Sequence, residues 1–83
     1  MDRSSMTREF RHFLGKAEDA AAGGYADWVV QSTGEKVAVA LALNRPDWLA
    51  KMGYTIAQAI DRTDDWIPLV RIVERNLKDR GLI

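Results

Sequence analysis

The chain has 83 residues, enough for one domain and near the lower limit at which a single hydrophobic core holds without staples. Apolar residues make up 47% and charged residues 29%, a globular composition that excludes disorder and low-complexity repeats. The 12 basic and 12 acidic side chains balance overall and, four against four, within residues 1–24, 25–62 and 63–83, so no segment is a basic arm or an acidic tail. The absence of cysteine removes disulfides, thiolate metal sites and thiol chemistry, and a lone histidine, His12, removes imidazole metal clusters.

Residues 6–22 place Met6, Phe10, Phe13, Leu14, Ala17, Ala20 and Ala21 at helical spacing, with charges on the opposite side. Ser4 or Ser5 is the expected N-cap and Gly23-Gly24 the terminator. Gly15, inside this helix, reads as a close helix crossing or as simple tolerance. Across residues 27–43 two readings compete. The alternation from Val37 to Leu43 behind Thr33-Gly34 suits a β-hairpin, which would make the domain α+β. Alanine is a poor strand former, however, and Glu35, Lys36, three alanines and two leucines behind Ser32 or Thr33 favour a helix. The helix is the reading adopted.

Asn44-Arg45-Pro46 breaks the chain and starts a short helix that runs to Met52 and closes at Gly53. Thr55 caps a helix over Ile56–Asp61. Thr63-Asp64-Asp65 opens the last helix, with Pro68 in its first turn, Ile67, Val70, Val73 and Leu77 as its apolar stripe and Gly81 as its stop. Asp-Trp recurs at 27–28, 47–48 and 65–66, each time where a helix is expected to begin. That pattern suits aspartates as caps and tryptophans as core anchors. The expected fold is therefore all-α, one domain over residues 1–83 built from four to five helices.

Catalytic signatures are missing. His12 is the one base with a suitable ordinary pKa, and it is distant from any serine or threonine in a nucleophile-like setting. Thr33-Gly34-Glu35-Lys36 lacks the spacing and the trailing hydroxyl of a phosphate loop. The adjacent acid pairs Glu18-Asp19 and Asp64-Asp65 point about 100° apart on a helix and do not converge on one atom. No enzymatic activity and no cofactor are expected. The longest wholly apolar run, Val37–Leu43, is far below the roughly 20 residues that cross a bilayer. Met1–Ser5 leads into a charged segment without a signal-peptide core, so a cytoplasmic location without membrane contact is the expectation.

DNA binding is the leading alternative. Ile56, Ala57, Ile60, Ile67 and Val70 have the offsets with which a helix-turn-helix packs its two helices, and residues 77–83 suit a helix running into a winged-helix strand. Against this, Asp61-Arg62 replaces the turn glycine, and Asp64 and Asp65 would face the phosphates.

The stretch from Leu43 to Arg62, followed by Trp66-Ile67-Pro68, resembles small uncharacterised proteins carried on bacterial plasmids and integrative elements, over Val37 to Leu77. The resemblance implies a helical fold in a mobile-element context and no catalytic or binding residue. The same stretch interleaves polar and aromatic side chains. Asn44 and Thr55 suit caps and Arg45 and Asp47 a local pair. As a functional surface, Arg45, Trp48, Tyr54, Arg62 and Trp66 are candidates for contacting a protein partner, with Trp48 half-buried and one ring edge free. Self-association into a homo-oligomer is expected as well, because three tryptophans, two tyrosines, two phenylalanines and long aliphatic stripes are hard to enclose in a chain this short.

Overall fold

A computed structural model describes the backbone of residues 3–83 and the side chains of residues 8–83. Six α-helices follow one another: α1 (Arg3–Gly23), α2 (Tyr25–Val29), α3 (Thr33–Ala42), α4 (Pro46–Lys51), α5 (Ile56–Arg62) and α6 (Ile67–Asp79), with a 3-10 turn (Asp64–Trp66) ahead of α6. The fold is all-α. The sixth helix beyond the expected four to five is α2, a short helix set between the Gly23-Gly24 turn and Ser32.

The hairpin alternative over residues 27–43 is overturned, and burial gives the reason. Val37, Ala38, Val39, Ala40 and Ala42 are all fully buried, so both halves of the alternation face protein. A helix apolar all round belongs at the centre of a bundle, and α3 packs against each of the other five helices. Its start is fixed by a capping box. The Ser32 Oγ accepts a hydrogen bond from the Glu35 amide, and the Glu35 Oε1 accepts one from the Ser32 amide. Its end is a Schellman motif. Asn44 takes the left-handed conformation (φ 58°) so that the Arg45 and Asn44 amides donate to the Ala40 and Leu41 carbonyls.

The same closing pattern recurs after α4 and α6, where the Tyr54 amide donates to Leu49 and the Leu82 amide to Leu77. Thr55 and Gln58 form a second capping box at the start of α5. Between α1 and α2, Gly24 (φ 70°, ψ −151°) adopts a backbone open only to glycine, and a Cβ on Gly23 would collide with the Asp27 carboxylate. A Cβ on Gly15 would meet nothing within 4 Å, so no helix crosses closely there. Helix α1 begins ahead of Ser4 and Ser5, so neither is its N-cap; their side chains, like that of Met6, lie outside the described residues.

None of the recurring aspartates is an N-cap. Gly24 and Arg45 hold those positions for α2 and α4, and Asp27, Asp47 and Asp65 fall inside the first turn, where a carboxylate still complements the helix dipole. Thr63 does not cap the final helix; its buried hydroxyl donates to the Ala59 carbonyl, which closes α5. The tryptophans do anchor the interior. Trp28 and Trp48 are buried and stack with ring centroids 4.9 Å apart, and the Trp28 indole N–H donates to the Lys36 carbonyl at 2.8 Å. Trp66, half-buried, meets the edge of Phe13 at 5.7 Å. Trp48 has no free ring edge. It is 3% exposed, which corrects the expectation of a half-open ring.

A buried aromatic in a chain with about 5–15 kcal/mol of total stability carries a large share of it. Trp48→Ala is expected to cost about 3–5 kcal/mol in chemical denaturation, whereas Tyr25→Ala, at a ring 43% exposed, costs distinctly less. Equal denaturation midpoints for the two variants would remove Trp48 from the core.

Candidate functional site

The structure separates the five candidate residues into two groups. Arg45 and Trp48 belong to an aromatic stack on α2 and α4. Tyr25 lies 5.5 Å from Trp28 and 6.4 Å from Trp48, centroid to centroid. Cations cover the stack: the Arg45 guanidinium stands 4.4 Å above Trp48, the Lys51 ammonium 5.1 Å from Tyr25 and the Lys36 ammonium 5.7 Å from Trp28. Arg45 is held in place by donating to both carboxylate oxygens of Asp47, at 3.1 and 2.8 Å. That paired hydrogen bond raises the Arg45 pKa and lowers that of Asp47. Arg45 thus acts as a lid over Trp48, and the exposed aromatic of the group is Tyr25. Sequence reasoning missed Tyr25, although its position three residues before Trp28 on a helix was a usable signal.

Tyr54, Arg62 and Trp66 lie around two adjoining open clefts that share Arg62. One, of about 410 Å³, is formed by Gly53, Tyr54, Gln58, Asp61 and Arg62. The other, of about 420 Å³, brings Arg62 and Trp66 together with Ser32, Gly34, Glu35 and Thr63. Arg62 makes no ion pair among the described residues.

Beside the second cleft, His12 Nε2 and Glu35 Oε2 stand 2.6 Å apart and join α1 to the start of α3. An imidazole oriented by a carboxylate is half of a nucleophilic triad, but the remaining contact has the wrong partner. The His12 Nε2 is engaged by Glu35, the Ser32 hydroxyl oxygen accepts from the Glu35 amide, and no hydrogen bond among the described residues joins that hydroxyl to His12. Among the described residues no three metal-ligating side chains converge, and no helix is long and apolar enough to cross a membrane.

The helix-turn-helix packing pattern is only half formed: Val70 is buried and Ile67 half-buried, but its α5 side is not in the interior. Ile56, Ala57 and Ile60 face outward, and α5 instead turns Ala59 inward, with Thr63 buried at its end. Residues 81–83, expected to lead into a strand, end the chain after the turn at Gly81, with Leu82 and Ile83 beside Leu43 and Arg45. The Arg80–Glu18 ion pair, at 2.7 Å, fastens this end to α1.

Glu35 gives the site a defined acid dependence. Burial opposes its ionisation, but hydrogen bonds from His12 and from the Ser32 amide and hydroxyl, with the Lys16 charge, outweigh it and hold the pKa below the ordinary 4.5. A lowered folded-state pKa contributes stability that is complete above the unfolded-state value and is lost as pH falls through the folded-state value. The stability difference between the wild type and Glu35→Gln is expected to shrink as the pH falls below 4.5. Urea titrations at a series of pH values measure it, and a difference that grows in acid would reverse the assignment.

Comparison of the chain with protein-family models, with curated proteins and with solved structures finds no match.

Proposed function

We propose that this chain is a non-enzymatic helical module of the cytoplasm that works by binding protein and associates with copies of itself. The observation that carries the reading is the set of aliphatic side chains left outside a closed core. Ile56 and Ile60 on α5 are 54% and 45% exposed, and Ile72 on α6 is 54% exposed, although the interior takes in Phe13, Trp28 and Trp48. The size argument expected the aromatics and long aliphatic stripes to be hard to enclose; Phe13, Trp28 and Trp48 are taken in, and Ile56, Ile60, Ile72 and Tyr25 are left outside. An exposed isoleucine alone needs no explanation, but two successive helices that both present isoleucine to solvent form the kind of surface that another protein covers.

Sedimentation velocity across the micromolar range tests the reading. The wild type is expected to show a concentration-dependent rise in sedimentation coefficient. Ile60→Lys and Ile72→Lys, both surface substitutions, keep the melting temperature within a few degrees and weaken association at least about tenfold. A wild type that remains monomeric at high micromolar concentration would refute self-association. Salt-sensitive retention of that monomer on duplex DNA would favour the nucleic-acid alternative instead.

A further inference from the structure

The exposed isoleucines carry charges of opposite sign on the two helices. On α5, Ile56, Ala57, Ile60 and Asp61 recur at helical spacing on the outward side, and Asp64 and Asp65 follow, exposed, in the 3-10 turn. On α6, Pro68, Arg71, Ile72 and Arg75 line an open cleft of about 400 Å³ on the side away from Val70, Val73 and Leu77. None of Asp61, Asp64, Asp65, Arg71 and Arg75 forms an ion pair among the described residues. One surface is therefore aliphatic and acidic, the next aliphatic and basic, and both leave their charges uncompensated within the chain.

From this complementarity we infer that the α5 surface of one copy docks on the α6 surface of a second copy, and the reverse, in a two-fold dimer. The inference rests on the self-association proposed above and specifies its surface. Isoleucine meets isoleucine and proline at the centre, and Asp61, Asp64 and Asp65 face the Arg71 and Arg75 guanidiniums of the other copy. A two-fold operation that pairs α5 with α6 in one direction pairs them in the other as well and closes the assembly; a single head-to-tail contact would leave an open chain of copies. Arg62 follows Asp61 and lines both the cleft shared with Asp61 and the cleft with Ser32 and Trp66, at the border of the α5 surface, and forms no ion pair with Asp61.

Charge reversal on the full-length protein tests this directly. Asp61→Arg with Asp64→Arg makes both surfaces basic, and Arg71→Glu with Arg75→Glu makes both acidic. Each double variant is expected to stay helical by circular dichroism and to dimerise at least about tenfold more weakly than the wild type, because like charges then meet across the contact. Mixed in equal amounts they restore opposite charges at both contacts, and a heterodimer of near wild-type affinity is expected in sedimentation. If the wild type dimerises and both double variants dimerise as well as it does, the surface assigned here is wrong while self-association stands. Two weakened variants that fail to associate on mixing overturn the pairing of α5 with α6. A monomeric wild type overturns this inference together with the reading beneath it.

Discussion

The burial of α3 on every side is the constraint on which the rest of this small fold depends. A helix in contact with five others leaves little room for large side chains over its buried part, Val37 to Ala42, where Leu41 alone is partly exposed, so it needs small residues there. Ala38, Ala40 and Ala42, all fully buried, supply them between Val37 and Val39. Close packing around such a helix leaves little tolerance for added volume. Both of its ends must be satisfied in place, which explains why it carries a complete capping box at Ser32 and Glu35 and a non-glycine residue, Asn44, in the left-handed conformation at its end. The second link made by Glu35, to His12, fastens that same cap to α1. The local signal that starts the helix is thereby tied to the tertiary contact that holds it.

With α3 in the centre, the aromatic side chains gather at its edges and polar groups cover them. Trp28 stacks on Trp48 and reaches the Lys36 carbonyl of α3 with its indole N–H. Lys36, Lys51 and Arg45 lie over the rings of this stack. Tryptophan beside arginine is the composition of an interface hot spot, and it is equally the composition of a core aromatic with a cationic lid. At Arg45 and Trp48 the lid is what the geometry shows. The aliphatic stem and planar head of Arg45 exclude water from a ring that this chain has already buried.

Punctuation was the legible part of the sequence. Gly23-Gly24, Ser32, Asn44-Arg45-Pro46, Gly53, Thr55 and Gly81 mark helix ends through local chemistry, and local chemistry is readable without knowledge of the neighbours. The inward face of α5 was not legible, for a physical reason. Its seven residues and the Thr63 that follows them offer two stripes at the same spacing, Ile56 with Ile60 and Ala59 with Thr63. Hydrophobicity selects the first. The structure selects the second, because the helix rests on α3, where small side chains permit a close approach. The packing expected of α5 in a helix-turn-helix is not formed here, and the difference lies in packing rather than in helix assignment. The candidate site was divided for a related reason. Arg45 and Arg62 are both arginines near aromatics, but the partner that decides each role, Asp47 for one and an open cleft for the other, becomes visible only in three dimensions.

A centre built of small residues also shapes the outside. Alanine and valine at α3 let the surrounding helices pack on it with Phe13, Trp28, Leu49, Val73 and Leu77 as filling, and that interior is complete without Ile56, Ile60 or Ile72. Extra isoleucines on α5 and α6 therefore add nothing to this core, and in water each one exposes apolar surface at a cost. The charges nearest to them differ in sign, with Asp61, Asp64 and Asp65 on α5 and the 3-10 turn and Arg71 and Arg75 beside Ile72 on α6. Alternating charge on each helix would have served solubility by itself and left no complementary surfaces. The acids beside Ile60 and the arginines beside Ile72 are opposite in sign, and none of Asp61, Asp64, Asp65, Arg71 and Arg75 is paired among the described residues.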